Sequence, residues 1–93
     1  MKEITIRKIK QNGCFPCAML GHTLEHMNAE LQAENVTVIE HNVSDEPEIV
    51  DKYMLLGVPV LIFERDGVEM YRHVGVMSRE EIMYRIKQAK EGE

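Results

Sequence analysis

The sequence predicts one α/β domain with the order β-α-β-α-β-β-α, in which helices cover both faces of a four-stranded mixed sheet. Three observations favour this class. β-Branched runs alternate with segments whose apolar residues recur every three or four positions, as strands and amphipathic helices do. An Asp66-Gly67 pair separates the last two strand-like runs, which is typical of a tight hairpin. A length of 93 residues fits a single domain over residues 1–93.

The first half of the chain predicts a strand, a long helix and a second strand. Isoleucines interleaved with polar residues predict the first strand at residues 3–10. Five apolar residues spaced three and four apart then predict a helix over residues 17–34, which Asn35 ends. A β-branched run predicts the second strand over residues 36–43.

A short second helix and a third strand are expected next. Asp45 and Glu48 have the spacing of a capping pair and predict a helix over residues 46–55. Gly57 stands where a C-cap glycine is common. The apolar run at residues 60–63 is too short for a buried helix, so it predicts the third strand.

The chain then predicts a hairpin followed by a last helix. Residues 69–74 pair back on the third strand as the fourth strand, and Gly75 ends it. Ser78 and Glu81 form a capping box that starts the final helix. A strand-helix-strand unit followed by this hairpin implies both parallel and antiparallel pairs in one sheet.

Composition excludes several classes of function. The net charge is −5 with both signs spread along the chain, which argues against nucleic acid and anionic membranes as partners. No segment has the roughly 20 apolar residues of a membrane span, and the N-terminus has no apolar stretch typical of a signal peptide. Two cysteines are too few for a secreted disulfide scaffold. We therefore expect a cytoplasmic monomer whose cysteines do chemistry.

The cysteines lie three positions apart, at the predicted junction of the first strand and the first helix. A helix N-terminus stabilises a thiolate, so the pKa of Cys14 is expected below the free value of about 8.5. Cys17 begins the apolar helix face and should point inward. Cys14 would then attack a disulfide and Cys17 would resolve the mixed disulfide. Pro16 stiffens the first turn, and an exposed Phe15 would offer an apolar contact to a protein substrate.

With these motifs, the chain resembles the thioredoxin-fold disulfide oxidoreductases over about residues 4–90. The resemblance rests on Cys14-Phe15-Pro16-Cys17, on Gly57-Val58-Pro59 downstream of it, and on the hairpin, Gly75 and Ser78 in the family's order. It implies a minimal thioredoxin-like fold and a cis peptide bond at Val58-Pro59 facing the cysteines.

The resemblance also implies the other residues of the site. Pro59 would organise the site, and the backbone of Val58 would pair with an extended client strand. The remaining substrate-binding candidates are Gly13, Phe15, Pro16, Val74, Gly75 and Val76. No tightly bound cofactor is implied. The disulfide would be recharged by a thioredoxin-reductase-like enzyme or a low-molecular-weight thiol, and its clients would be disulfide-containing proteins, with ribonucleotide reductase as one candidate.

Departures from the family pattern concern the residues around the cysteines. Gly13 and Phe15 replace the tryptophan and glycine that are usual there. Lys8 stands at the position of the family's buried acid, six residues before Cys14. Either Lys8 or Lys10 favours the thiolates electrostatically, or Lys8 is a solvated strand-edge residue.

Other classes use the same residues differently. A glutaredoxin-like, glutathione-dependent reductase fits the motifs poorly. A zinc or iron–sulfur module through the cysteines is a further alternative, although His22 and His26 should project away from Cys17 into solvent. The third is a non-catalytic interaction module. The methionines are expected to fill the core, with only Met77 placed to touch substrate.

Overall fold

The computed structural model describes residues 3–92. In that part of the chain four strands and four helices follow one another as β1-α1-α2-β2-α3-β3-β4-α4. The strands are β1 (Ile4–Lys10), β2 (Val36–Asn42), β3 (Val60–Arg65) and β4 (Val68–Val74). The helices are α1 (Phe15–His26), α2 (Asn28–Ala33), α3 (Ile49–Lys52) and α4 (Arg79–Glu91).

The four strands form one mixed sheet in the order β2-β1-β3-β4. β1 runs parallel to β2 and antiparallel to β3, and β3 and β4 are antiparallel. Because a parallel pair needs a crossover, α1 and α2 carry the chain from β1 over the sheet to β2. The mixed sheet predicted from the sequence is confirmed, and β1 and β3 are its two internal strands.

Helices cover both faces of the sheet, as predicted, but unequally. One face packs against α1, α2 and α4 through a large apolar core that includes Ile4, Ile6, Leu20 and Phe63. The other face packs against the short α3 through a smaller core built on Ile9, Ile49, Val60 and Ile62. Alternation along β1 and β3 sends successive side chains to opposite cores.

The predicted single helix over residues 17–34 begins two residues earlier, at Phe15, and is broken at Met27. The N–H of Met27 donates to the carbonyl of Leu24, only three residues back, at 3.1 Å, and Nδ1 of His26 lies 2.7 Å from the carbonyl oxygen of His22. These contacts replace the regular ladder and end α1. α2 then ends at Ala33, and Asn35, with φ of 61°, turns the chain into β2 as expected.

The second predicted helix is also shorter than the sequence indicates. α3 spans only Ile49–Lys52, and its N-cap residue is Glu48, without a side-chain cap bond. Asp45 does not cap it, because the helix begins four residues later, at Ile49. The N–H of Asp45 instead donates to the carbonyl of Asn42 at 3.0 Å in a separate turn. Gly57 is not the C-cap either: the left-handed residue after the helix is Met54, with φ of 52°.

The C-terminal predictions agree with the structure. Asp66 and Gly67 both have positive φ, 53° and 80°, as a two-residue type I′ hairpin turn requires. β3 runs two residues beyond the predicted 60–63 and reaches that turn. Gly75 has φ of 103° and follows the last residue of β4. The capping box of Ser78 and Glu81 is fully formed at the start of α4.

Candidate functional site

Cys14 is the N-cap residue of α1, four residues after the end of β1. Its backbone is extended, with φ −103° and ψ 106°, and Gly13 before it takes φ of 71° to make the turn. The N–H of Cys17 donates to Sγ of Cys14 at 3.1 Å. Sulfur thus fills the acceptor position that an oxygen usually occupies at an N-cap, where the helix dipole also favours negative charge.

The two cysteines form a disulfide with their Cα atoms 5.2 Å apart. Their environments differ: Cys17 is only 2% exposed, whereas Cys14 is partly exposed and Pro16 is exposed. Phe15, between them, is 75% exposed, as predicted. A client can therefore approach Cys14 from solvent, while Cys17 is accessible mainly through its partner sulfur.

Strand register brings the remaining predicted residues to the same end of the sheet. Ile9, near the end of β1, pairs with Val60 at the start of β3, which in turn pairs with Val74 at the end of β4. Val58 and Pro59 therefore lie at the sheet end from which the chain continues to Cys14. The Val58-Pro59 peptide bond is cis, as the resemblance implies.

The loop after β4 is tied to this proline. The N–H of Gly75 donates to the carbonyl of Pro59 at 2.8 Å. Val74 and Val76, on either side of the glycine, are 57% and 46% exposed. Met77 is 4% exposed and lies in the larger core, so the expectation that it touches substrate is wrong.

Two exposed apolar residues that shortly precede Pro59 in the chain were not predicted from the sequence. Met54 is 77% exposed and Leu56 is 100% exposed. Between them Leu55 points inward and, with Val58, lines a cavity of about 360 Å³. The available signal was three consecutive apolar residues before Gly57 that do not follow a helical period.

Lys8 is not a solvated strand-edge residue, and that interpretation is wrong. It lies on the internal strand β1 and is 8% exposed. Its Nζ is 3.4 Å from Oε2 of Glu40, and Nζ of Lys10 is also 3.4 Å from that oxygen. Burial acts to raise the pKa of Glu40, but the two ammonium groups lower it, and the result lies below the ordinary 4.5. Lys8, Lys10, Cys14 and Cys17 line one cavity of about 240 Å³.

The histidines that suggested a metal site lie elsewhere. His22 and His26 are both exposed, and His22 pairs with Glu25 rather than with a cysteine. Within residues 3–92, no three histidine, cysteine or acidic side chains are grouped closely enough to hold a metal ion. None of the helices in that range is long and apolar enough to cross a membrane.

Comparisons with known proteins agree with this geometry. The family model described as Thioredoxin matches residues 5–88. A thioredoxin of Chlamydia trachomatis is 33% identical over 70 residues, which are 75% of this chain and 67% of that protein. The SPbeta prophage-derived thioredoxin-like protein YosR of Bacillus subtilis is 35% identical over 74 residues, covering 78% of this chain and 84% of the relative.

Solved structures show the same fold at lower identity. The Fasciola hepatica thioredoxin superposes with a TM-score of 0.82 over 94% of this chain and 81% of its own, at 21% identity. At that identity the likeness concerns the fold alone. The sheet order, the cysteine pair at the strand-helix junction and the cis proline therefore occur together in a chain similar to thioredoxins.

Proposed function

This chain belongs to the thioredoxin family and is a thiol–disulfide oxidoreductase, and on that premise we propose that it reduces protein disulfides through Cys14 as nucleophile and Cys17 as resolving thiol. Pro59 would organise the site opposite them. The single observation that carries this assignment is the asymmetry of the pair. Cys14 is the N-cap residue of α1 and its sulfur accepts a hydrogen bond from the backbone N–H of Cys17, whereas the side chain of Cys17 is buried.

The proposed reaction has two exchanges. The Cys14 thiolate attacks a client disulfide, so a bond forms from Cys14 to one client sulfur while the other client sulfur leaves as a thiolate and takes a proton from water. The Cys17 thiolate then attacks Sγ of Cys14. The Cys14–Cys17 bond forms, the bond to the client breaks, and the second client sulfur leaves. Two electrons pass from the dithiol to the client.

Client binding is proposed at the exposed apolar rim. Phe15, Val74 and Val76 present apolar surface, and Gly13, Pro16 and Gly75 would let a client backbone approach closely. The backbone of Val58 would pair with an extended client segment. Met54 and Leu56 extend this rim on the side of α3.

The disulfide is the redox group, and no tightly bound cofactor is involved. Clients with disulfides and a reductase are general partners of this family. We propose further that a thioredoxin-reductase-like enzyme or a low-molecular-weight thiol recharges the pair in a reducing cytoplasm, and that ribonucleotide reductase is a candidate client. One relative above is named a thioredoxin and the other a thioredoxin-like protein, which favours protein disulfides over glutathione mixed disulfides as substrates.

Insulin reduction driven by dithiothreitol tests the proposal. The wild-type protein should accelerate it, and Cys14→Ser should return the rate to that of dithiothreitol alone. Cys17→Ser should retain attack by Cys14 and accumulate a mixed disulfide with a client, detected by mass. Equal activity of the wild type and Cys14→Ser would refute the nucleophile, and trapping through Cys17 in Cys14→Ser would reverse the two roles.

A further inference from the structure

We propose that Lys8, held by Glu40, is a positioning residue that stabilises the thiolate of Cys17 and thereby makes the dithiol form of the pair more favourable. This inference rests on the proposed resolving role of Cys17. It assigns a function to a buried charge that the two exchange steps do not otherwise use.

The direction of the Lys8 side chain follows from its place in β1. Ile4 and Ile6 point into the core beneath α1 and α4, and Lys8 is the next residue in that alternating series. Its strand neighbours are Glu40 on β2 and Leu61 on β3. Lys8 therefore projects under α1 rather than from a sheet edge, and its side chain is 11% exposed.

A glycine on α1 makes room for the ammonium group. A Cβ atom added at Gly21 would lie 2.8 Å from Nζ of Lys8, which is closer than such atoms approach. Gly21 is one helical turn after Cys17 on α1. The ammonium of Lys8 thus lies against the backbone of the turn that follows Cys17. Lys8 and Cys17 line the same cavity.

The charged groups around this cavity leave an excess of positive charge. β1 contributes Lys8 and Lys10, and β2 contributes Glu40, whose one carboxylate contacts both ammonium groups. On α1, Glu25 lines an adjoining cavity that Lys8 also lines, but its side chain is 79% exposed and pairs with His22. Water screens an exposed charge strongly, so Glu25 offsets little of the positive charge of the buried Lys8.

A nearby cation favours the charged form of a thiol. When Cys17 ionises, its proton passes to solvent in the cavity, whose 240 Å³ exceeds the roughly 30 Å³ occupied by one water molecule. Only the dithiol form has a thiolate to stabilise, so Lys8 shifts the equilibrium from disulfide toward dithiol and speeds the attack of Cys17 on Cys14.

The test is the equilibrium of the pair with oxidised and reduced dithiothreitol, followed from pH 7 upward through the ionisation of Cys17 and read as the mass shift after thiol labelling. Lys8→Met should lower the equilibrium constant for forming the dithiol by a factor that grows as Cys17 ionises in the wild type and reaches about tenfold, which corresponds to about 30 mV. Glu40 keeps Lys10 as a partner in that variant. Lys87→Met, which removes the same charge from an exposed position on α4, is the matched control and should leave the constant unchanged.

A charge-swapped double variant separates electrostatics from packing. Lys8→Glu with Glu40→Lys keeps an ion pair between the strands but places the negative group beneath α1. If the pair is merely structural, the swap restores the wild-type equilibrium, and the proposal is overturned. If Lys8 acts through its charge, the swap lowers the constant further than Lys8→Met does.

Gly21→Ala gives a variant that keeps every charge. The new methyl group displaces the ammonium, while alanine is favoured over glycine inside a helix. The equilibrium constant for forming the dithiol should fall by a smaller factor than in Lys8→Met.

The pH dependence of alkylation gives a second readout on Cys17 alone. In a Cys14→Ser background, the alkylation rate of Cys17 should rise at a higher pH when Lys8 is replaced.

The role of Lys8 and the proposed reductase function are refuted by different results. If the wild type reduces insulin but Lys8→Met, the swap and Gly21→Ala all stay within twofold of its dithiothreitol equilibrium, only the role of Lys8 is refuted. If the wild type does not reduce insulin, the proposed reductase function fails, and the role of Lys8 fails with it.

Discussion

Replacing Phe15 with alanine tests whether the exposed rim binds clients. A phenylalanine side chain offers on the order of 200 Å², and its 75% exposure leaves roughly 150 Å² available to a client. If a client covers half of this area, the contact contributes about 2 kcal/mol at roughly 25 cal/mol per Å². Since about 1.4 kcal/mol is a factor of ten, Phe15→Ala should lower kcat/KM for a protein disulfide roughly 10- to 30-fold.

The assay compares a protein client with a small one. Rates with insulin should fall, whereas exchange with oxidised dithiothreitol should not change, because a small disulfide touches only the sulfurs. Stability should stay within about 0.5 kcal/mol, since the ring is mostly in solvent. Tyr84→Ala removes another exposed aromatic ring, on α4, and serves as the control. An unchanged insulin rate, or equal losses with both substrates, would refute the contact.

Three further predictions concern stability. Ser78→Ala removes the N-cap of α4 and should cost about 1 kcal/mol, seen as a fall in Tm of roughly 4–8 °C; an unchanged Tm would contradict the role of the capping box. Leu20→Ala, at a site 1% exposed, should cost about 2–5 kcal/mol in urea unfolding, and a cost below about 1 kcal/mol would contradict its place in the core. The pKa of Glu30 is lowered by a hydrogen bond from Arg79 and that of Glu81 by the backbone N–H of Ser78, both from 4.5. The pKa values of both carboxyl groups are lower in the folded than in the unfolded state, so their contribution to stability is full above pH 4.5 and is lost as the pH falls through the folded pKa values. Glu30→Gln should therefore make Tm fall less steeply as the pH is lowered.

Features that depend on neighbouring residues could be read from the sequence. The hairpin turn needs two residues that tolerate positive φ, and Asp66-Gly67 supplies them within four positions. Ser78 and Glu81 form their box within one turn. The cysteine pair also belongs to this group, since both its spacing and its place at a helix start are local.

Features set by distant contacts could not be read in this way. The apolar period continues through Met27, so nothing in it marks the break between α1 and α2. The extent of α3 depends on a turn held by the carbonyl of Asn42 at the end of β2. Lys8 is buried because β1 is internal and because Gly21 leaves space above it. A lysine between Arg7 and Ile9 carries no such information by itself, and charged side chains are normally exposed.

The pairing of Ile9 with Val60 has a consequence for synthesis of the chain. Both cysteines leave the ribosome before Pro59 and the strand that follows it. Until β3 pairs with β1, the two thiols lack Pro59 and the strand that follows it. Pairing β1 with β3 closes a long loop of chain, which is slower than forming the β3–β4 hairpin. The nascent thiols are therefore exposed to any oxidant or electrophile before the folded site limits which molecules reach them.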